Sequence, residues 1–206
     1  MILRKRSPGW SLIDWLKHLA ISWNWHMAGD ETVRIGPYVA ELTPYYFELM
    51  WREWQSWKKW YLPPWSLKGK VILDVGAGCG ETALFYYLHG ARRVIAVEPE
   101  SSLVPLLKKN MAHNKWDMEV VESPFHASML DWNFDFMKMD GEGCEAQLLT
   151  SNSLPPCAIE GHNKRVVDRL RDRFETNILP QKDNWILQNF AELPIRARKE
   201  SEGTGP

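Results

Sequence analysis

Asp74-Val75-Gly76-Ala77-Gly78-Cys79-Gly80 is the stretch that decides the fold. It follows a short apolar run at 70–75 and precedes a segment, 81–89, that has helical character and stops at Gly90. Glycines at 76, 78 and 80 let the backbone turn sharply and approach a ligand closely. The helix after the turn begins with free N–H groups. Strand, glycine turn and helix in this order open a doubly wound sheet, in which ligands sit beyond the carboxyl ends of the strands.

Working outward, strand and helix alternate from about Leu67 to the C-terminus. Strands are expected at 93–97, 118–121, 134–139 and 157–160, and helices at 102–114, from 144 to about 149, and at 164–174. Segments 176–179 and 185–190 read as a hairpin around 180–184. The fold class is therefore α/β. The expected sheet is doubly wound, mostly parallel and seven-stranded, with right-handed crossovers and one antiparallel strand from the hairpin.

The N-terminal third differs. Nine of the 12 tryptophans lie between residues 10 and 65. A helix is expected over 11–27, a short hairpin or loop over 31–42, and a second helix from Pro44 to about Tyr61. Thr43 is its expected N-cap, and Pro63 and Pro64 its stop. Tyr46, Met50, Trp54, Trp57 and Tyr61 form its apolar stripe. The domain plan is thus a Trp-rich helical N-terminal cap at 1–65, a core at 66–195 and a flexible tail at 196–206. Packing is the first role of the tryptophans; an aromatic acceptor pocket or a membrane-surface helix are the others.

The turn is GxGxG with an acid two residues ahead. That spacing resembles the S-adenosylmethionine (SAM) turn of class I methyltransferases, whereas a dinucleotide turn would be GxGxxG. The resemblance implies that Gly76, Ala77, Gly78, Gly80 and Glu81 lie against the ligand, and that Asp74 faces its ammonium group directly or through water. Glu98 closes the second strand, 24 positions after Asp74, where an acid accepts hydrogen bonds from both ribose hydroxyls. A nicotinamide dinucleotide would use the same acid, so Glu98 alone does not choose between the two.

Lys138-Met139-Asp140-Gly141-Glu142-Gly143-Cys144-Glu145 follows the fourth strand. A K-[ILM]-D-x-E-G-x-E run, behind the glycine turn and the Glu98-Pro99 pair, resembles the FkbM family of methyltransferases. The likeness covers about residues 69–162, including Ile159-Glu160-Gly161-His162. It implies methylation of hydroxyl groups on small molecules or glycans, and a place for Pro99 and Asp140 beside the cofactor. Two positions depart from the pattern. Gly141 replaces an aliphatic residue, and 122–125 lacks the acid that contacts the adenine amino group, leaving backbone near Ser123 to do so.

A hydroxyl acceptor needs a base, worth about 10²–10⁴-fold. Asp140 and Glu142 are the first candidates, followed by Glu160 and His162. Glu142 and Glu145 also have a structural reading, as acids at a helix N-terminus. None of the six histidines forms a paired metal motif, so no metal site is evident, and a Mg²⁺ bound by Asp/Glu, as in some O-methyltransferases, stays open.

Composition narrows the partners. Net charge is −1, and residues 66–160 carry 8 Lys/Arg against 13 Asp/Glu, which disfavours a nucleic-acid groove. Cys79, Cys144 and Cys157 have no redox or metal spacing, so reduced thiols in a cytoplasm are expected. Asp14, Lys17 and His18 interrupt the apolar run after Arg4, Lys5 and Arg6, so neither a signal peptide nor a membrane span is expected. Three alternatives stay open. Lys108, Lys109, Asn110 and Asn114 resemble a feature of RNA methyltransferases with the same core. A catalytically silent SAM-binding or scaffold protein would fit the missing strand-three acid. An NAD-dependent oxidoreductase is disfavoured by the glycine spacing.

Overall fold

The structure is a computed structural model, in which residues 26–29, 31–181 and 183–190 are described. The helix expected over 11–27 lies almost wholly outside the described residues, as does the tail after 196. His26 and Met27, expected to end that helix, belong instead to strand β1 (His26–Gly29). With β2 (Thr32–Ile35) and β3 (Tyr38–Glu41) it forms an antiparallel meander. The hairpin expected at 31–42 is the second half of this sheet.

Helix α1 (Pro44–Tyr61) starts where the cap chemistry places it: the Thr43 side chain accepts the Tyr46 N–H. Phe47, Met50, Trp57 and Tyr61 are its buried residues, while Tyr46 and Trp54 of the expected stripe are half-buried.

The larger sheet has strands β4 (Val71–Val75), β5 (Arg93–Val97), β6 (Met118–Val121), β7 (Phe136–Met139), β8 (Cys157–Gly161), β9 (Asn177–Pro180) and β10 (Trp185–Asn189). Its order is β6-β5-β4-β7-β8-β10-β9. The first five strands are parallel, and β10 runs antiparallel to both β8 and β9. This is the doubly wound, seven-stranded architecture the sequence predicts. The order reverses at β4, which starts the glycine turn, so the turn stands at the switch point where such sheets bind ligands.

Side chains alternate across the sheet, so two cores form. Ile72, Val94, Ala96, Phe136, Ala158 and Ile186 face one core, which they share with the meander, α1 and helix α2 (Glu81–Leu88). Leu73, Val75, Val97, Met137, Met139 and Ile159 face the other, under helix α4 (Lys164–Phe174) and two 3-10 helices. Helix α3 (Val104–Asn114) adds Leu107 to the first core.

One expected element differs. The helix starting at 144 is a 3-10 helix, Cys144–Thr150. Glu142 and Gly143 both have left-handed backbone (φ 47° and 107°), and Pro155 and Pro156 soon follow, so the segment is too short and too sharply entered for a regular helix.

Asn110 and Asn114 of α3 bind the edge strand of the meander. Asn110 accepts the Glu41 N–H (2.9 Å) and donates to Glu41 O (2.7 Å) and Cys79 O (2.8 Å). Asn114 pairs with the N–H and C=O of Val39 in the same manner. Asn110 therefore joins the meander to the glycine turn, and Asn114 fastens the meander to α3.

Candidate functional site

Alternation decides which side chains converge. Asp74, Glu98, Lys138, Asp140 and Glu160 all share the parity of the first core, so they emerge on the sheet face covered by α1 and α2. Asp74 and Lys138 are register partners on β4 and β7.

Gly76, Gly78 and Gly80 all have positive φ (71°, 55° and 92°). At Gly76 a Cβ would stand 1.9 Å from the carbonyl oxygen of Asp140, so a side chain there would push the turn off β7. At Gly78 the space above the backbone holds the Glu81 carboxylate (2.7 Å from a Cβ position) and the Tyr46 ring (2.8 Å). Gly76 and Ala77 donate to Val97 O (2.9 and 3.3 Å), which ties the turn to β5.

Glu98 closes β5 and is 4% exposed. One carboxylate oxygen accepts the Gly78 N–H (2.8 Å) and the other accepts the Glu100 N–H (2.9 Å). Burial raises its carboxyl above the ordinary range, and those two N–H groups pull it back. Two backbone donors orient the carboxylate and leave each oxygen a further lone pair. Pro99 beyond it is exposed, and Ser123, half-buried, donates its hydroxyl to Pro124 O (3.1 Å).

Asp74 lies beneath the turn. It is fully buried, accepts the Thr82 hydroxyl (2.6 Å), and faces Lys138 Nζ at 3.4 Å. Lys138, 1% exposed, also donates to Gly76 O (2.8 Å) and Val75 O (3.4 Å). Burial alone would lower the lysine's pKa; Asp74, Asp140, Glu81 and Glu160 reverse that and raise it, so Lys138 is charged. Glu81, 3% exposed, accepts the Cys79 N–H (3.0 Å), and burial pushes its carboxyl up to about 8.

A second group stands past β7 and β8. Asp140, Glu160 and His162 bring their ligand-type atoms within 4.8 Å of one another, and His162 Nε2 is 3.6 Å from Asp140. No paired metal motif is legible in the sequence, yet the fold assembles three residues of metal-ligand type. Glu160 is held by the Tyr61 hydroxyl (2.5 Å) from α1 and by Asn184 Nδ2 (2.6 Å) from the turn between β9 and β10. Burial raises Asp140 to about 6, opposed by Lys138 and assisted by Glu160. Glu53 on α1 rises to about 7, through burial and then the nearby Glu160. Glu142 is exposed, at the rim, beside the exposed Tyr45. Glu145 is buried and accepts the His162 backbone N–H (3.1 Å), so it positions the loop after β8.

The sequence places Tyr46 and Tyr61 in the apolar stripe of the second helix and Lys138 in the run after the fourth strand, but it gives none of these, nor Glu53 or Asn184, a part in the site. A lysine in phase with buried strand residues is itself a signal, because buried lysines need a partner. The others meet the site only through the packing of α1 and the last hairpin, which no local pattern reveals.

Parts of this chain resemble methyltransferases. A stretch of 61 residues is 44% identical to protein arginine N-methyltransferase 6 of Danio rerio, covering 28% of this chain and 17% of that protein. A stretch of 109 residues is 28% identical to the human electron transfer flavoprotein beta subunit lysine methyltransferase, covering 42% of each. The chain spans about half or less of the length of the curated relatives it matches. Among solved structures, the C-terminal domain of precorrin-6Y C5,15-methyltransferase from Rhodobacter capsulatus overlaps 59% of this chain and 79% of that chain, at a TM-score of 0.46 and 17% identity. No protein-family model matches, and the FkbM likeness stands on its motif residues alone.

Proposed function

We propose that this chain is a SAM-dependent methyltransferase. The observation that carries the reading is the meeting, on one sheet face, of the glycine turn, Glu98 and the Asp140–Glu160–His162 group. The donor set fits a sulfonium nucleoside: Glu98 offers oriented lone pairs for two ribose hydroxyls, and carboxylates rather than phosphate-binding N–H groups line the turn. The matched stretches of arginine and lysine methyltransferases support the same chemistry.

In this reading SAM supplies an electrophilic methyl group on a good leaving group. Glu98 orients the ribose, Ser123 and its backbone line the adenine end, and Pro99 shapes the rim. The protein's main contribution is alignment of the acceptor for in-line attack. Asp140 takes the acceptor's proton as base, because burial raises it toward neutrality. Glu160 and His162 shape its field, and Glu142 at the rim contacts the acceptor. The segment 1–65 acts as the cap over the core at 66–195; Tyr46, Glu53 and Tyr61 of α1 facing the site support that role.

The acceptor in the first reading is a hydroxyl of a small molecule or glycan, as the FkbM resemblance implies. A second reading, an amine or guanidinium of a protein, is favoured by Glu53, Asp140, Glu142 and Glu160 standing together, which attract a cation. RNA is disfavoured, since Asn110 and Asn114 are committed to the meander. No helix of the described residues is long and apolar enough to cross a membrane. Free Cys79, Cys144 and Cys157 support work in the cytoplasm.

Radiolabelled SAM incubated with cell extract, followed by separation of small-molecule, glycan, protein and RNA fractions, tests the acceptor. Asp140→Asn should retain affinity for S-adenosylhomocysteine and lose about 10²–10⁴ in turnover. Full activity in that variant removes Asp140 as the base. Failure of the purified protein to bind SAM or S-adenosylhomocysteine in calorimetry removes the whole reading.

A further inference from the structure

The motif pairs Asp74 with the ligand's ammonium, but the geometry assigns that carboxylate elsewhere. Asp74 is fully buried and shares its charge with Lys138, while Thr82 holds its other oxygen. A carboxylate already neutralised by a buried lysine has little attraction left for a second cation. Glu81 differs in both position and charge balance. Its carboxylate lies over Gly78, on the side of the turn where Tyr46 covers it, and its close donors are backbone N–H groups.

We infer that Glu81, roofed by the Tyr46 ring, receives the cationic amino-acid end of the nucleoside ligand, and that Asp74 positions the turn through Lys138. This rests on the SAM-binding reading above. A carboxylate and an aromatic face together form a receptor for an ammonium. The titratable and charged groups around Glu81 are Tyr46 from α1, Cys79 in the turn, Asp74 from β4, Glu98 from β5 and Lys138 from β7. Lys138 is held by Asp74 and the carbonyls of Val75 and Gly76, so it acts on Glu81 through its field while its ion pair at contact distance is with Asp74. The raised Glu81 carboxyl agrees with an acid awaiting a cation.

The experiment compares two probes by calorimetry on the full chain. S-adenosylhomocysteine carries the ammonium; 5′-methylthioadenosine has the same nucleoside and lacks the amino-acid end. Glu81→Gln should weaken S-adenosylhomocysteine by about 10- to 100-fold and change 5′-methylthioadenosine by less than about 3-fold. Equal weakening of both probes, or no change in either, overturns the inference. Should Glu81→Gln not fold, the wild type still decides. S-adenosylhomocysteine should release about half a proton or more per site at pH 7.5, measured in buffers of different ionisation enthalpy, and 5′-methylthioadenosine none. Equal proton release by both probes overturns the inference as well. Failure of both probes to bind wild type would overturn the SAM-binding reading itself, a result distinct from the others.

Discussion

Lys138→Met tests the electrostatic centre of the fold. Methionine keeps most of the volume of the lysine stem, so packing changes little. What is lost is the ammonium, 3.4 Å from Asp74 and 2.8 Å from Gly76 O. Asp74, at 0% exposure, then keeps only the Thr82 hydroxyl. Removing one partner of a buried ion pair costs about 3–5 kcal/mol, and the donor lost at Gly76 O adds roughly 1 kcal/mol, while Val75 O keeps the Asp140 N–H (3.0 Å). The expected loss is about 4–6 kcal/mol, a large share of the roughly 5–15 kcal/mol that holds a domain folded. At about 2–4 °C per kcal/mol for a chain of this size, the melting temperature should fall by about 8–24 °C. The paired variant Lys138→Met/Asp74→Asn removes the stranded charge and should recover about half of the loss. Thermal and urea unfolding of the single and double variants completes a double-mutant cycle. A single variant within 1 kcal/mol of wild type, or strictly additive losses, would refute the argument.

Three further outcomes follow from the geometry. Gly76→Ala places a methyl group 1.9 Å from Asp140 O at a φ of 71°, so it should cost about 2–5 kcal/mol, seen as a lower urea midpoint; an unchanged midpoint would show that the turn does not press on β7. Tyr61→Phe removes the hydrogen bond to Glu160 and should cost about 1.5–3 kcal/mol, with a shifted pH profile of turnover; neither change would appear if Glu160 were held by Asn184 alone. Stability should fall as pH rises. Glu81, Asp140 and Glu53 have folded-state values raised to about 8, about 6 and about 7, so the native state binds more protons than the unfolded chain between about pH 4 and those values. The unfolding free energy should therefore decline from pH 5 to pH 8.5, and a rise across that window in unfolding measurements would contradict the burial of these acids.

The sequence alone determined the sheet, because its signals are local. Glycine spacing, apolar runs and the caps at Thr43 and Gly90 each act within a few residues, so strand and helix positions were legible with small shifts at their ends. The positions of Glu98 and Asp140 were legible for the same reason, as strand-end residues in a known order. Only the tertiary structure decided what each acid touches. The glycine-turn motif points Asp74 at a ligand; the pairing of β4 with β7 also sets it against Lys138, 64 positions away. Asn110 and Asn114 were compared with RNA enzymes, yet α3 lands beside the meander and they bind its backbone. Glu160 gained its donors from α1 and the last hairpin, 99 and 24 positions distant. A side chain's partners depend on contacts far apart in the chain, and its charge state depends on its burial. Neither is written in the residues on either side of it.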